Sequence, residues 1–355
     1  MSTKIPEAYN LNKKVARTYK RIKELFRYIS DENVIVAYSG GKDSTLVLHF
    51  LLRLLEENPT LVKTKVHIVY SDTGVEIPAY SQYVYSFLDR LKKWIELKSL
   101  NEVIKISIIR PLPTESFWYN IIVKGYPAPT YLFRWCTKRL KISPMRRYIS
   151  QNLPAVLLLG SRATESSTRS KSLKKRKLSK LWTRYDDVPG VKAFLPVVDW
   201  DDADVIKYLK ISKTPWGDSY DDLLTLYEKA AFCNNNEKSS CRWPRFGCWV
   251  CTVIKKDRTL LGLSANGDPL AKELYLFKQY LFVETRKPEN RILLPTGRYS
   301  KIKPQVRLKL FNELVKFQKR IKHKYGVEII SDSELELIRR DLRRYVLGDK
   351  NDDSI

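Results

Sequence analysis

The feature that most constrains this chain is a short run of small and polar residues between two apolar segments, Ser39-Gly40-Gly41-Lys42-Asp43-Ser44. The β-branched residues before it predict a buried parallel strand, and the apolar residues after it predict a helix. Two glycines let the backbone approach an anion closely, and the helix N-terminus adds free N–H groups and a positive dipole. We therefore interpret this turn as a phosphate cradle; a plain strand–helix turn is the alternative.

The side chains of the turn support the same interpretation. Lys42 supplies a positive charge, and Ser39 and Ser44 supply hydroxyl donors. The turn is not a Walker A loop, because the spacing G-x-x-x-x-G-K-[ST] does not fit it. Any phosphate bound here is therefore held by a loop of another kind.

The rest of the first half of the chain alternates between strands and helices. Further strands are predicted before Asp72-Thr73-Gly74 and at 103–109, 155–160 and 194–197, and helices at 80–91 and 201–209. This rhythm predicts an α/β fold in which a parallel sheet carries helices on both faces. Ligands of such sheets bind at the carboxyl ends of the strands, so we expect 39–44 and 71–74 to lie beside one pocket.

The sequence predicts three regions. Residues 1–215 form the α/β domain, residues 216–258 form a Cys-rich insert, and residues 259–355 form a basic helical region. Within the last region, 306–321 has a helical apolar face, and Ser333-x-x-Glu336 is interpreted as the capping box of the final helix.

Charge is the strongest signal in the composition. The chain has 65 Lys and Arg against 39 Asp and Glu, a formal net charge of +26. This balance indicates a polyanionic partner, for which nucleic acid is favoured over an anionic membrane. The basic segment 167–180 is expected to be a loop or hairpin tip that orders on an anion. Because no apolar run has the length of a bilayer span and no secretory signal opens the chain, we expect a cytoplasmic protein without membrane contact.

Five cysteines are present, Cys136, Cys233, Cys241, Cys248 and Cys251. The last three form a C-x6-C-x2-C segment, and Cys136 could supply a fourth thiolate if the fold brings it near. Four thiolates suit zinc or an iron–sulfur cluster, and the spacing does not choose between them. Cys233 is left over as a structural thiol or as one that handles sulfur.

Several motifs, taken in order, resemble a known family. They are SGGKDS, the SDTG turn, RWCTKRLK, LGSRATES followed by Arg169, and FGCWVCTVIKKDRTL, spread over roughly residues 30–320. Together they resemble the phosphoadenylylsulfate (PAPS) reductase-like branch of the PP-loop ATP pyrophosphatases. Within that branch they are most similar to the DndC-type DNA phosphorothioation sulfurtransferases, with the related Ssp-system enzymes close behind.

The resemblance implies an adenine nucleotide alpha-hydrolase-like fold and a set of site residues. It implies ATP held by Ser39, Gly40, Gly41, Lys42, Asp43 and Ser44, with Asp72 and Thr73 near the nucleotide and Mg²⁺. It implies a catalytic set of Lys42, Asp43, Arg162, Glu165 and Arg169, and an anion-facing cluster of Lys138, Arg139 and Lys141. It also implies a [4Fe-4S] cluster on Cys136, Cys241, Cys248 and Cys251, with zinc as the less favoured occupant.

The implied activity is ATP-dependent replacement of a non-bridging oxygen of DNA by sulfur. DNA, a cysteine desulfurase as sulfur donor and other phosphorothioation proteins are the implied partners, and homo-oligomerisation is left open. An adenylylsulfate or PAPS reductase-type enzyme, an RNA-thiolating enzyme and a non-catalytic nucleic-acid-binding protein with a relic loop are the alternatives, and the intact SGGKDS disfavours the last. Sulfate reduction is disfavoured because no cysteine follows Cys251 and because Trp135-Cys136 stands where iron–sulfur adenylylsulfate reductases carry a Cys-Cys pair.

Overall fold

The computed structural model describes residues 7–164, 171, 174–231, 244, 246–254 and 256–346. The chain divides into two compact units. The first contains the described residues of Met1–Ser71, Gln82–Ile109 and Met145–Tyr227, and the second those of Asp72–Ser81, Arg110–Pro144 and Glu228–Ile355. The division at 215 and 258 stays a sequence-based prediction.

Strands and helices alternate through the first two-thirds of the chain. In order, the elements are α1 (Glu7–Tyr28), β1 (Asn33–Tyr38), α2 (Lys42–Glu57), β2 (Val66–Ser71), α3 (Pro78–Leu97), β3 (Ile104–Ile109), α4 (Phe117–Ile122), a π-helical turn (Thr137–Ile142), α5 (Ser143–Ser150), β4 (Ala155–Leu158), β5 (Trp182–Arg184), β6 (Lys192–Phe194), α6 (Asp202–Ile211) and α7 (Asp221–Ala230). Helices then dominate, as α8 (Arg258–Ala265), α9 (Pro269–Glu284), α10 (Pro304–Tyr325) and α11 (Asp332–Val346), with one hairpin of β7 (Arg291–Leu293) and β8 (Tyr299–Ile302).

The first unit is built on a six-stranded sheet with the order β3-β2-β1-β4-β6-β5. All neighbouring strands are parallel except β5, which runs antiparallel to β6 at the edge. Strand β1 lies at the centre, where Val36 is in register with Ile68 on one side and Leu158 on the other. The strand order reverses between β1 and β4, which is where open α/β sheets bind ligands.

Helices cover both faces of this sheet. On one face, Tyr38 of β1 stacks on Phe87 of α3 with ring centroids 5.5 Å apart. On the other face, Ile35 of β1 belongs to a buried apolar cluster with Ile149 of α5. Because successive residues of a strand point to opposite faces, β1 is buried on both sides. The predicted α/β architecture with a helical C-terminal region is confirmed.

Two strand predictions were wrong in their bounds. The last strand of the sheet is Lys192–Phe194 rather than 194–197, since Pro196 has no N–H to donate and a turn follows. The fourth strand ends at Leu158, opposite Phe194, rather than at residue 160. Strand β5 was not predicted, because only three residues pair.

The predicted capping box of the last helix was also wrong. The N–H of Glu334 donates to the hydroxyl of Ser331 (3.2 Å), and the helix begins at Asp332. Both Ser331 and Ser333 have a glutamate three residues later, so the sequence pattern fits either start.

The second unit has an aromatic core. Phe277 of α9 stacks on Phe317 of α10 (4.2 Å between centroids), and Trp118 and Trp249 pack around this pair. Trp249 is 1% exposed. No helix in the described part of the chain is long and apolar enough to cross a bilayer.

His49 of α2 is buried in the first unit between two tyrosines. Its Nδ1 lies 2.9 Å from the hydroxyl of Tyr220, and its Nε2 lies 3.1 Å from that of Tyr208. Burial, with a smaller effect of the Arg53 charge, lowers the pKa of His49 to about 4. The neutral ring is therefore the native form.

This histidine predicts how stability depends on pH. Between pH 6.5, near the ordinary pKa, and pH 4 the unfolded chain binds a proton that the folded chain does not. The buried neutral His49 therefore contributes about 2–3 kcal/mol to the free energy of unfolding above pH 6.5. This contribution is lost as the pH falls to 4. Urea unfolding from pH 7.5 to 4.5 should show a flatter slope for His49→Gln than for the unmodified protein. The exposed His323→Gln is the control, and equal slopes for all three proteins would contradict the prediction.

Candidate functional site

The turn after β1 folds into a cradle held by its own serines. The Ser39 and Ser44 hydroxyls lie 3.0 Å apart, the Ser39 N–H donates to Ser44 Oγ (3.2 Å), and the Ser44 hydroxyl donates to the carbonyl of Gly41 (3.0 Å). Gly40 has φ = +77°, a left-handed conformation that favours glycine. Helix α2 starts at Lys42, whose N–H donates to the hydroxyl of Tyr227 (3.2 Å), and the N–H groups of Asp43 and Ser44 follow in the same first turn, where a helix offers them no backbone partner.

Two cations and two carboxylates meet at the start of α2. Lys42 Nζ lies 3.1 Å from Asp43 Oδ2 and 2.9 Å from Asp202 Oδ1. The Arg162 guanidinium also reaches both carboxylates, at 2.9 Å from Asp43 and 2.5 Å from Asp202. Lys42 and Arg162 are both buried. The structure therefore brings together the loop and one of the arginines that the sequence singled out.

Asp202 differs from the other three groups because its side chain is about half exposed (51%). Partial burial would by itself raise its pKa, but hydrogen bonds and charge from Lys42 and Arg162 hold the pKa below the ordinary value. Asp202 is therefore ionised at neutral pH and neutralises part of the positive charge of the cradle. Arg162 is further fixed by the carbonyl of Trp200 (3.3 Å) and by Thr164 (3.4 Å).

Gly160, just beyond β4, touches the backbone of the cradle. A Cβ placed there would lie 2.6 Å from the Asp43 carbonyl oxygen and 2.9 Å from the Ser44 nitrogen. Both contacts are too short for any side chain. Position 160 therefore sets the distance between β4 and the first turn of α2.

Asp72 and Thr73, at the start of the second unit, contact other residues of that unit, and the Thr73 hydroxyl lies 3.6 Å from Cys248 Sγ. Asp72 Oδ2 accepts from Arg110 Nε (2.8 Å), and Asp72 Oδ1 accepts from the Gly74 N–H (2.9 Å). The Thr73 hydroxyl donates to Glu76 (2.6 Å). The place of Asp72 and Thr73 at a nucleotide stays a prediction.

Three cysteines of the second unit line one cavity of about 360 Å³. They are Cys136, which precedes the π-helical turn, and Cys248 and Cys251 of the C-x2-C pair. Trp249, between Cys248 and Cys251, holds this pair of cysteines in place. Its backbone N–H donates to the carbonyl of Val75 (2.9 Å), and its ring lies in the aromatic core. Lys141 and Arg134 also line this cavity, which we call the cysteine cavity.

Burial dominates the electrostatics of these thiols. It raises the pKa of Cys248 to about 11 and also raises the pKa of Cys136. Cys251 raises both pKa values further by repulsion. Cys136 and Cys248 are therefore neutral thiols unless a cationic group bound in the cavity lowers their pKa values.

The donor chemistry of the cysteine cavity fits an iron–sulfur group, which binds thiolates. In the described part of the chain, no three His, Cys, Asp or Glu side chains are arranged to hold a single metal ion. Cys241, the fourth proposed ligand, and Cys233 lie outside the described residues. The [4Fe-4S] assignment therefore stays a prediction.

Comparison with known protein families shows which family the chain belongs to. The phosphoadenosine phosphosulfate reductase domain family matches residues 33–254, more than half of the chain. The chain belongs to this family. The match includes the cradle, Arg162, Asp202 and all five cysteines.

Individual relatives of this PAPS reductase family member are distant. An uncharacterised protein of Methanocaldococcus jannaschii is 28% identical over 243 residues, which are 68% of this chain and 39% of that protein. The phosphoadenosine 5'-phosphosulfate reductase of Aliivibrio salmonicida is 26% identical over 157 residues, 44% of this chain and 54% of that protein. The chain thus spans about half or less of each relative.

Among solved structures, the PAPS reductase of Candida auris, determined as a phosphate complex, overlaps with a TM-score of 0.35 and 16% identity. The overlap covers 59% of this chain and 87% of that one. At this TM-score it carries no argument about the site.

The remaining predicted site residues of this family member are placed as follows. Glu165 and Arg169 lie outside the described residues. Lys138, Arg139 and Lys141 lie in the π-helical turn, where Arg139 is 3.5 Å from Glu115. Sequence reasoning missed Asp202 and Gly160. The acidic run at 201–204 is a helix-start signal that could have drawn attention to Asp202.

Proposed function

We propose that this family member is an ATP pyrophosphatase-type sulfurtransferase that exchanges a non-bridging oxygen of a DNA backbone phosphate for sulfur. One observation carries the proposal that the protein uses ATP. Two buried cations, Lys42 and Arg162, lie together at the cradle. The net charge of +26 supports a polyanionic acceptor, and the cysteine cavity supports sulfur chemistry.

The first proposed step is adenylylation of the acceptor. A non-bridging oxygen of a DNA phosphate attacks the α-phosphorus of ATP, the bond to the bridging oxygen breaks, and pyrophosphate leaves. The loop N–H groups would hold the polyphosphate, while Lys42 and Arg162 would stabilise the negative charge that grows on the leaving group. Asp202 would have to share its two cations with the incoming phosphate.

The second proposed step is sulfur transfer. The terminal sulfur of a persulfide attacks the activated DNA phosphorus and AMP leaves with the former phosphate oxygen. A thiol reductant then supplies two electrons to cleave the S–S bond, which releases the carrier thiolate and leaves the phosphorothioate. A cysteine desulfurase is the proposed sulfur source. A [4Fe-4S] group held by Cys136, Cys241, Cys248 and Cys251 would supply sulfur-binding or electron-transfer chemistry near Lys141 and Arg134. The proposed Mg²⁺ would screen the phosphate charges.

Reduction of adenylylsulfate or PAPS is the second candidate. The family match and the similarity to the Aliivibrio salmonicida reductase favour it. It needs the same phosphate cradle but a small substrate. RNA thiolation is the third outcome that a test must separate.

Reconstitution tests the proposal. The protein is incubated with ATP, Mg²⁺, cysteine, a cysteine desulfurase and a thiol reductant, and in separate reactions with duplex DNA, tRNA or PAPS. Mass spectrometry of nuclease digests detects phosphorothioate linkages or thionucleosides, and a sulfite assay detects reduction. Phosphorothioate in DNA, with pyrophosphate release lost in Lys42→Ala, is the expected result. The exposed Lys92→Ala is the matched control and should keep full activity. Sulfite from PAPS, or sulfur in tRNA alone, would replace the proposal with the corresponding alternative.

A further inference from the structure

The hairpin of β7 and β8 exposes a group of large apolar side chains. Leu293 is 59% exposed, Tyr299 48%, Leu294 41% and Ile292 37%. Leu293 pairs with Tyr299 across the ribbon. Exposed apolar side chains that cluster on one element indicate a surface that binds a partner.

The hairpin is built to keep its shape. Pro295-Thr296-Gly297 closes it, with Gly297 at φ = +73° and its N–H donating to the carbonyl of Leu294 (2.9 Å). The Arg291 guanidinium crosses the ribbon and donates to the carbonyls of Ser300 (2.7 Å) and Tyr299 (3.1 Å). A stiff element loses little conformational entropy on binding.

The base of the hairpin is anchored in the second unit. The N–H of Ile302 donates to the carbonyl of Gly125 (2.8 Å), and the Ile302 side chain is fully buried. The exposed end is therefore held on a fixed support rather than on a free loop.

The positive charge of the hairpin indicates the chemistry of its partner. Four cations and no acid lie between Asn290 and Pro304, namely Arg291, Arg298, Lys301 and Lys303. Basic side chains beside exposed aliphatic ones match a nucleic acid, which offers phosphates outside and apolar base faces inside.

We propose that this hairpin is a DNA wedge, in which Arg298 and Lys301 contact phosphates while Leu293 and Leu294 enter between base pairs of a duplex. The proposal rests on the proposed function for its choice of DNA. A two-stranded ribbon fits a DNA groove, and aliphatic side chains are typical of residues that unstack base steps. Proteins that bind single strands rely on aromatic platforms, whereas this hairpin has one aromatic residue.

The test measures binding and base unstacking together. A duplex that carries 2-aminopurine reports unstacking as a rise in fluorescence, and anisotropy reports affinity over a range of salt. The protein is compared with Leu293→Ser/Leu294→Ser, with Arg298→Gln/Lys301→Gln, and with Leu97→Ser/Ile211→Ser, which removes two exposed aliphatic side chains elsewhere (81% and 72% exposed).

We expect the leucine variant to lose the fluorescence rise and about tenfold in affinity while keeping its salt dependence. The arginine–lysine variant should reduce the slope of log K against log salt by about 2. The Leu97 and Ile211 variant should behave like the unmodified protein.

Three results would overturn the wedge. They are duplex binding without unstacking, equal behaviour of the leucine variant and its control, and leucine-dependent binding to phosphatidylglycerol–phosphatidylcholine vesicles without an effect on DNA. Parallel assays of phosphorothioate formation separate the two proposals. If the protein inserts sulfur but does not unstack DNA, the proposed function stands and the wedge is wrong. If it unstacks DNA but inserts no sulfur, the wedge stands and the proposed function is wrong.

Discussion

Gly160→Ala is expected to reduce ATP-dependent pyrophosphate release about 100-fold or more in kcat/KM. The new Cβ would lie 2.6 Å from the Asp43 carbonyl oxygen and 2.7 Å from its carbonyl carbon. Both are backbone atoms of the first turn of α2, so no side-chain rotation can relieve the contact. The turn must move, and the N–H groups of Asp43 and Ser44 move with it.

The control for this variant is Gly217→Ala. A Cβ at Gly217 meets no atom within 4 Å, but φ is +95°, so the substitution costs about 1 kcal/mol of backbone strain away from the cradle. Pyrophosphate release and thermal unfolding are measured for both. Gly160→Ala must lose much more activity than Gly217→Ala at comparable stability. Full activity in Gly160→Ala would show that β4 does not set the position of the cradle.

Arg162→Met is expected to abolish activity and to destabilise the first unit by about 3 kcal/mol. Arg162 is fully buried and lies against both Asp43 and Asp202. Removal of the guanidinium leaves two carboxylates with only Lys42 to balance them. Methionine keeps most of the side-chain volume, so the loss reports charge rather than a cavity.

Two further variants test whether the effect of Arg162→Met comes from unbalanced charge. Asp202→Asn added to Arg162→Met removes one unbalanced charge and should restore part of the stability without restoring activity. Arg17→Met removes a half-exposed arginine that pairs with Asp199 (3.0 Å) and should cost less than 1 kcal/mol. Urea unfolding measures all of them. A loss below 1 kcal/mol for Arg162→Met, or no gain in the double variant, would contradict the proposed role of this arginine.

The strand, turn and helix that form the cradle could be predicted from sequence because every signal for them is local. A β-branched strand, a Gly-Gly turn and an apolar helix follow one another within seventeen residues of chain, from Val34 to Phe50. Local propensities and the helix dipole act over that range, so the pattern and the structure agree. The α/β alternation was visible for the same reason.

The hairpin of β7 and β8 shows where local signals were present but were missed. The turn Leu294-Pro295-Thr296-Gly297 has proline and glycine where a three-residue hairpin loop favours them. Its strands are short and lie in a segment dominated by helices. The helix start at Ser331 was a different case, because two overlapping Ser-x-x-Glu patterns were equally good.

By itself the sequence determined the turn that forms the cradle, the parallel sheet that carries it and the C-x2-C spacing of two cysteines. Only the tertiary structure decided which charges face the cradle, since Arg162 lies 119 residues from Asp43 and 40 from Asp202. Only the tertiary structure gave Gly160 its role, because the close approach joins β4 to a helix far away in sequence. Propensity and spacing report on neighbours along the chain, whereas charge compensation and steric fit depend on neighbours in space.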